Sequence, residues 1–208
     1  MIKSLKVLAV AACLALGWGT ASAASISYYL NQSNTEGTWP DGVNYLQVDI
    51  FDSISNPGDI EFLVTALAPL TVSAGSNFGI QAFGFNSNYT LTGANIVDPA
   101  GWTTGSGNLN GFGSYEVREA GNGSNRQNPL TFRITGISGD TPFDYAVLHP
   151  LGGGAQGNYF FAAHVAGMTV GPGSAYYGGN VPTVVPVPAA VWLLGSALGL
   201  LGWMRRRG

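Results

Sequence analysis

The feature that most constrains the chain is a hydrophobic period of two, repeated in short runs that are punctuated by glycine, asparagine, serine and proline. In 44–54, Leu46, Val48, Ile50 and Ile54 alternate with Gln47, Asp49 and Ser53. In 60–66, Ile60, Phe62, Val64 and Ala66 alternate with Glu61, Leu63 and Thr65, and in 130–135 Leu130, Phe132 and Ile134 do the same. In 159–165, Tyr159, Phe161, Ala163 and Val165 share one face. Period two places alternate side chains on opposite faces of a strand. Further strands are expected at 26–30, 77–85, 88–92, 95–98, 113–118 and 143–148. No segment of twelve residues shows a helical stripe. Short strands separated by turn residues predict an all-β, antiparallel, jelly-roll-like sandwich. Its core should rest on Val48, Ile50, Phe62, Val64, Phe132 and Ile134.

Both ends of the 208-residue chain depart from this pattern. Lys3 and Lys6 precede an apolar run from Val7 to Trp18, and Ala21-Ser22-Ala23 supplies the small residues of a cleavage site. Residues 1–23 therefore read as a secretory signal peptide removed by signal peptidase after Ala23. Cys13 lies too early in the apolar stretch to be a lipid-modified first residue. At the other end Ala189–Met204 is an apolar run of 16 residues followed by Arg205, Arg206 and Arg207. As a helix it is about 24 Å long, short of the ~30 Å hydrocarbon core. The arginines would stay on the cytoplasmic side, with the preceding chain outside.

The tail Val185-Pro186-Val187-Pro188 followed by an apolar, glycine-containing helix and three arginines resembles the PEP-CTERM sorting signal. That signal combines a Pro-x-Pro motif, a short transmembrane segment and a basic end. Here Val187 stands where the family usually has Glu. The resemblance implies processing by exosortase, a membrane protease of exopolysaccharide-producing Gram-negative bacteria. It divides the chain into a signal peptide (1–23), an extracellular β domain (24–184) and a sorting signal (185–208) with its membrane helix at 189–204. It also implies a transient inner-membrane anchor and a final place on the cell surface or in the extracellular matrix. The run from Phe161 to Gly179 is similar to the last strand of many such exported domains, which transfers no catalytic residue.

Between these ends, three arginines stand against eleven carboxylates, so the domain carries a net charge of −8 and has no lysine. That balance disfavours nucleic acid and anionic polysaccharide held through charge. With Cys13 in the signal peptide the domain has no cysteine, which excludes a disulfide framework.

Signals of chemistry are sparse. His149 and His164 are the two histidines, and neither a His-Glu-x-x-His helix nor a Gly-x-Ser-x-Gly elbow occurs. His164 is expected in mid-strand, on the face of Phe160, Ala162, Ala166 and Met168. Asp49 and Glu61 read as outward strand positions rather than a catalytic pair. No cofactor is expected, with calcium the one candidate: the segment from Asp52 to Asp59 gathers carboxylates and loop oxygens, the ligands that hard cations take. Trp39, Trp102, Tyr115, Tyr176 and Tyr177 lie in or near glycine-rich loops, where an aromatic face can hold a neutral sugar. Trp39, Trp102 and His164 are the candidate ligand residues. The sequence thus favours a noncatalytic, exosortase-sorted component of an extracellular polysaccharide matrix or biofilm. A carbohydrate-binding module and an extracellular hydrolase are the alternatives.

Overall fold

The computed structural model describes residues 24–150 and 152–183. The strands are β1 (Ser25–Leu30), β2 (Gln32–Ser33), β3 (Leu46–Asp52), β4 (Ile60–Ala66), β5 (Ala74–Phe85), β6 (Ile96–Val97), β7 (Thr103–Leu109), β8 (Gly113–Ala120), β9 (Leu130–Ile134), β10 (Phe161–Met168), β11 (Ser174–Gly179) and β12 (Val181–Pro182). One four-residue helix, α1 (Ala68–Thr71), joins β4 to β5. The first sheet has the order β12-β1-β3-β4-β9-β6 and the second β2-β11-β10-β5-β8-β7, with every neighbouring pair antiparallel. The described residues therefore form an all-β sandwich.

The alternating sequences explain the central strands. In β3 and β4 every second residue is buried, and the register sets Val48 against Val64 and Ile50 against Phe62. Phe62 in turn faces Phe132 of β9. All six residues expected in the core are buried. The inner faces meet through aromatic rings: Phe62 stacks on Phe132 at 4.6 Å and meets Phe85 of the opposite sheet at 4.8 Å. Phe83 stacks on Phe161 at 5.9 Å. Such pairs add to the area each ring removes from water.

The pairing has a nested order. β1 pairs with β12, β2 with β11, β4 with β9 and β5 with β8. First strands thus lie beside last ones, and each pairing closes a long loop.

Two expected strands, 88–92 and 143–148, are not strands. Residues 88–92 run as loop into a 3₁₀ turn at Gly93–Asn95, capped reciprocally by Thr92 and Asn95. In 143–148, the turn Pro142–Tyr145 replaces a strand, because Thr141 and Asp144 form a capping box and Pro142 opens the turn. Tyr145 is buried there and Phe143 exposed. Ile54 lies beyond the end of β3 and is 85% exposed. The strand expected at 159–165 begins at Phe161, and Tyr159 packs in a separate cluster with Phe112 and Tyr115. Gly167 adopts φ 81° at an irregularity in β10. That bulge turns Met168 into the core, off the face of His164 where alternation had put it. β7 and β11 were not expected, since TTGSGNL and SAYYGG carry no clean alternation.

Among the described residues no helix is long and apolar enough to cross a membrane. The signal peptide expected at 1–23 and the membrane helix expected at 189–204 lie outside the described residues.

Phe62→Ala should lower unfolding free energy by about 3–5 kcal/mol in urea titration, because it opens the contact between the sheets. Ile54→Ser should change it by less than about 0.5 kcal/mol.

Candidate functional site

The outer face of the second sheet brings together the groups with most chemical potential. β10 buries Phe161, Ala163 and Val165 inward and presents Ala162 and His164 on the other side. His164 lies opposite Tyr176 of β11 in register. Their rings stack at 4.3 Å with 10° between planes. Both are half-buried. In β5, Ala82 faces His164 and Ile80 faces Val165, so Gln81 is the extra residue of a bulge. The Gln81 side chain accepts from Arg126 Nε at 2.8 Å, and Arg126 Nη1 donates to the Asn77 carbonyl at 3.0 Å. Arg118 of β8 sits opposite Gly84. Its stem passes over Gly107, where a Cβ would meet Arg118 Cδ at 3.0 Å. Arg118 Nε is buried without a hydrogen bond.

This surrounding acts on His164. Burial first, then the positive charges of Arg126 and Arg118, push its pKa down to about 4. A lowered folded value makes the unfolded chain take the proton first. The contribution to stability is present above the unfolded value near 6.5 and is lost as pH falls towards 4. NMR of the imidazole should give a midpoint near 4, and His164→Gln should remove the part of the acid-side stability loss that this group causes.

A second group of acids lies on the inner side of the same sheet. Glu119 of β8 is fully buried, opposite Phe83 and Thr104. Thr104 Oγ1 lies 2.8 Å from Asp98 Oδ1 and 2.9 Å from Glu119 Oε1. A hydroxyl has one hydrogen, and an ionised carboxylate only accepts. Both contacts are hydrogen bonds only if one carboxyl keeps its proton. Glu119 is that acid: burial first, then Asp98, push its pKa up to about 8, and its Oε2 is buried without a partner. Its raised folded value means stability is full below the unfolded value near 4.5 and declines as pH rises through about 8. Glu119→Gln should flatten that decline in pH-resolved unfolding. It should leave the opposite slope of His164 in place.

The remaining candidates are placed as follows. Trp39 is buried beside Tyr45 and Tyr177, and Trp102 is buried with Nε1 donating to the Asn125 carbonyl at 2.9 Å. Instead of standing open at a loop rim, both rings cover core edges, where large rings remove most area from water. Tyr115 and Tyr177 are buried as well, which leaves Tyr176 half-exposed among those five aromatics. Asp52 and Asp59 line a cleft of about 510 Å³ together with Asp140. Asp52 accepts from the Ala24 N–H at 2.7 Å, Asp59 pairs with Arg133 at 3.3 Å, and Asp140 accepts from the Tyr145 hydroxyl. Among the described residues, no group of three or more His, Cys, Asp or Glu could hold a metal ion. Asp49 accepts from Ser27 Oγ and from Gln47 Nε2. The His149 backbone is clasped by Asn158. Ala21, Ala23, Val185, Pro186, Val187, Pro188, Arg205, Arg206 and Arg207 lie outside the described residues.

Of the outer-face group, sequence reasoning singled out His164 and the aromatic Tyr176 and missed Arg118, Arg126 and Gln81. Their scarcity was visible, since the domain has three arginines in all. Their meeting depends on cross-strand register and on a bulge. In comparisons with family models, curated proteins and solved structures, nothing matches this chain.

Proposed function

We propose that the protein is an exported, noncatalytic surface domain of a Gram-negative bacterium. In this reading it is sorted by exosortase and works in the extracellular polysaccharide matrix. The observation that carries the reading is where the chain enters and leaves the fold. Ala24 precedes β1, and β12 pairs with β1, Tyr28 facing Pro182 and Tyr29 facing Val181. The Thr183 N–H donates to the Ser27 carbonyl at 2.9 Å. Entry and exit therefore share one end of one sheet edge. A domain so built can hang from a membrane by that end, with the Pro-x-Pro segment directly after it.

The two processing events fit this arrangement. Removal of residues 1–23 by signal peptidase would leave Ala24 as the first residue, its nitrogen beside the Asp52 carboxylate. The resulting ammonium would gain a charge-assisted hydrogen bond. Val185-Pro186-Val187-Pro188 would be held extended, because each proline disfavours a helix at the residue before it. Exosortase would then cut near these prolines, releasing the domain from the apolar segment 189–204 and Arg205–Arg207. We further read the nested pairing of first and last strands as a jelly roll, in which one long hairpin is rolled into two sheets.

Intact mass of the protein recovered from cells should correspond to a chain that begins at Ala24 and ends near Pro186–Pro188. Replacing Pro186 and Pro188 with Ala should leave an uncut, membrane-bound form. A mature chain that still carries Trp203 and the arginines would overturn the sorting reading, and a lipid-bearing start at Cys13 would overturn the cleavage after Ala23 and make the chain a lipoprotein.

A further inference from the structure

We infer that the outer face of the second sheet binds an acidic polysaccharide, taking uronate carboxylates on Arg118 and Arg126 and a sugar ring beside Tyr176 and His164. This deepens the matrix reading and rests on it for where the polymer is met, while the binding itself stands on the geometry.

The first support is the pairing of charges. Eleven carboxylates surround three arginines in the domain, so an arginine without an acid is unexpected. Arg133 has one, Asp59. Among the described residues, Arg118 and Arg126 lie within salt-bridge distance of no carboxylate. Both bear on the same histidine, so they share one neighbourhood of the sheet. A local basic patch thus stands on a strongly acidic domain, and net charge alone conceals it.

The second support is orientation. Arg126 is held by Gln81 through Nε and by Asn77 through Nη1, which fixes the plane of its guanidinium. Arg118 lies along β7 with its Nε unbonded. A planar fork matches a carboxylate better than a point charge does, since two parallel N–H bonds can form.

The third support favours a sugar over an acidic peptide. His164 is neutral above about pH 4, so the stacked pair offers an uncharged aromatic surface in the neighbourhood of the two guanidiniums. Such a surface suits the apolar face of a pyranose ring. Beside it Ala82, Gly84 and Ala162 are buried beneath a cluster that includes Leu109, Phe112 and Tyr115. The tips of Leu109 and Tyr115 close over Gly84 and bound the platform on that side.

The test uses the full chain in mild detergent and polygalacturonate oligomers as probe, with binding followed by calorimetry and affinity electrophoresis. Oligomers should bind, with affinity falling as salt is raised. Arg118→Gln and Arg126→Gln should each weaken binding at least tenfold, and Tyr176→Ala should weaken it likewise. Arg133→Gln, on the other sheet, should leave it unchanged. Circular dichroism and an Arg126→Lys variant, which keeps the charge but loses the fork, separate lost binding from lost folding. Equal binding of carboxyl-reduced oligomers, full binding by the Arg118→Gln/Arg126→Gln double variant, or no binding of any polymer would overturn the inference. Polyglutamate binding as tightly as the uronate would overturn it in favour of an acidic peptide. The intact-mass measurement is independent of all these outcomes. A correctly processed protein that ignores uronates would sink this inference and leave the sorting reading intact.

Discussion

The aromatic contact between the two sheets is the interaction on which the rest of the structure depends. Phe62 and Phe132 come from the first sheet and Phe83, Phe85 and Phe161 from the second. The domain has no cysteine, so nothing covalent ties the layers. The sheets stay together because these rings and the aliphatic rows around them leave water together. Once Phe161, Ala163 and Val165 are committed to that contact, alternation sends Ala162 and His164 to the opposite face. The candidate site is thus a consequence of the core, displayed on its reverse side.

Local irregularities then decide what that face carries. One bulge in β5 frees Gln81 to orient Arg126. A register shift between β7 and β8 puts Tyr115 in the outer cluster, while Val117 belongs to the core and Glu119 pairs with inward Phe83. Without it, strict alternation would have kept Tyr115, Val117 and Glu119 on one face. Glu119 stays on the inner face with Val117 as a buried acid beside Asp98, an arrangement that holds only while one of the two keeps a proton. Bulges concentrate where a strand must re-aim its side chains, and here they lie on both sides of the proposed binding face.

Much of the fold was legible from the residues alone. Leu46 to Ile50, Ile60 to Ala66 and Leu130 to Ile134 alternate so regularly that strand, face and core membership all followed. Where local chemistry competes with alternation, the reading failed. Thr141 and Pro142 cap a turn and so cancel a strand, and glycine-rich β7 becomes a strand only because β8 pairs with it. The candidate site was half legible. His164 was visible as a mid-strand histidine, but the loop positions of Trp39 and Trp102 did not reveal that their rings fold back over the core.

What the sequence by itself determined is periodic and local. It set the class of fold, the identity of the inner faces and the distinctness of the two apolar ends. These depend on the order of neighbouring residues, which period-two geometry converts directly into faces. What only the tertiary structure decided is which distant segments become neighbours. The nested pairing of β1 with β12 joins the two ends of the domain, and Arg118, Arg126, His164 and Tyr176 come from three strands and a loop. Such meetings are fixed by long-range register and bulges, set by packing the whole of both sheets rather than by any one segment.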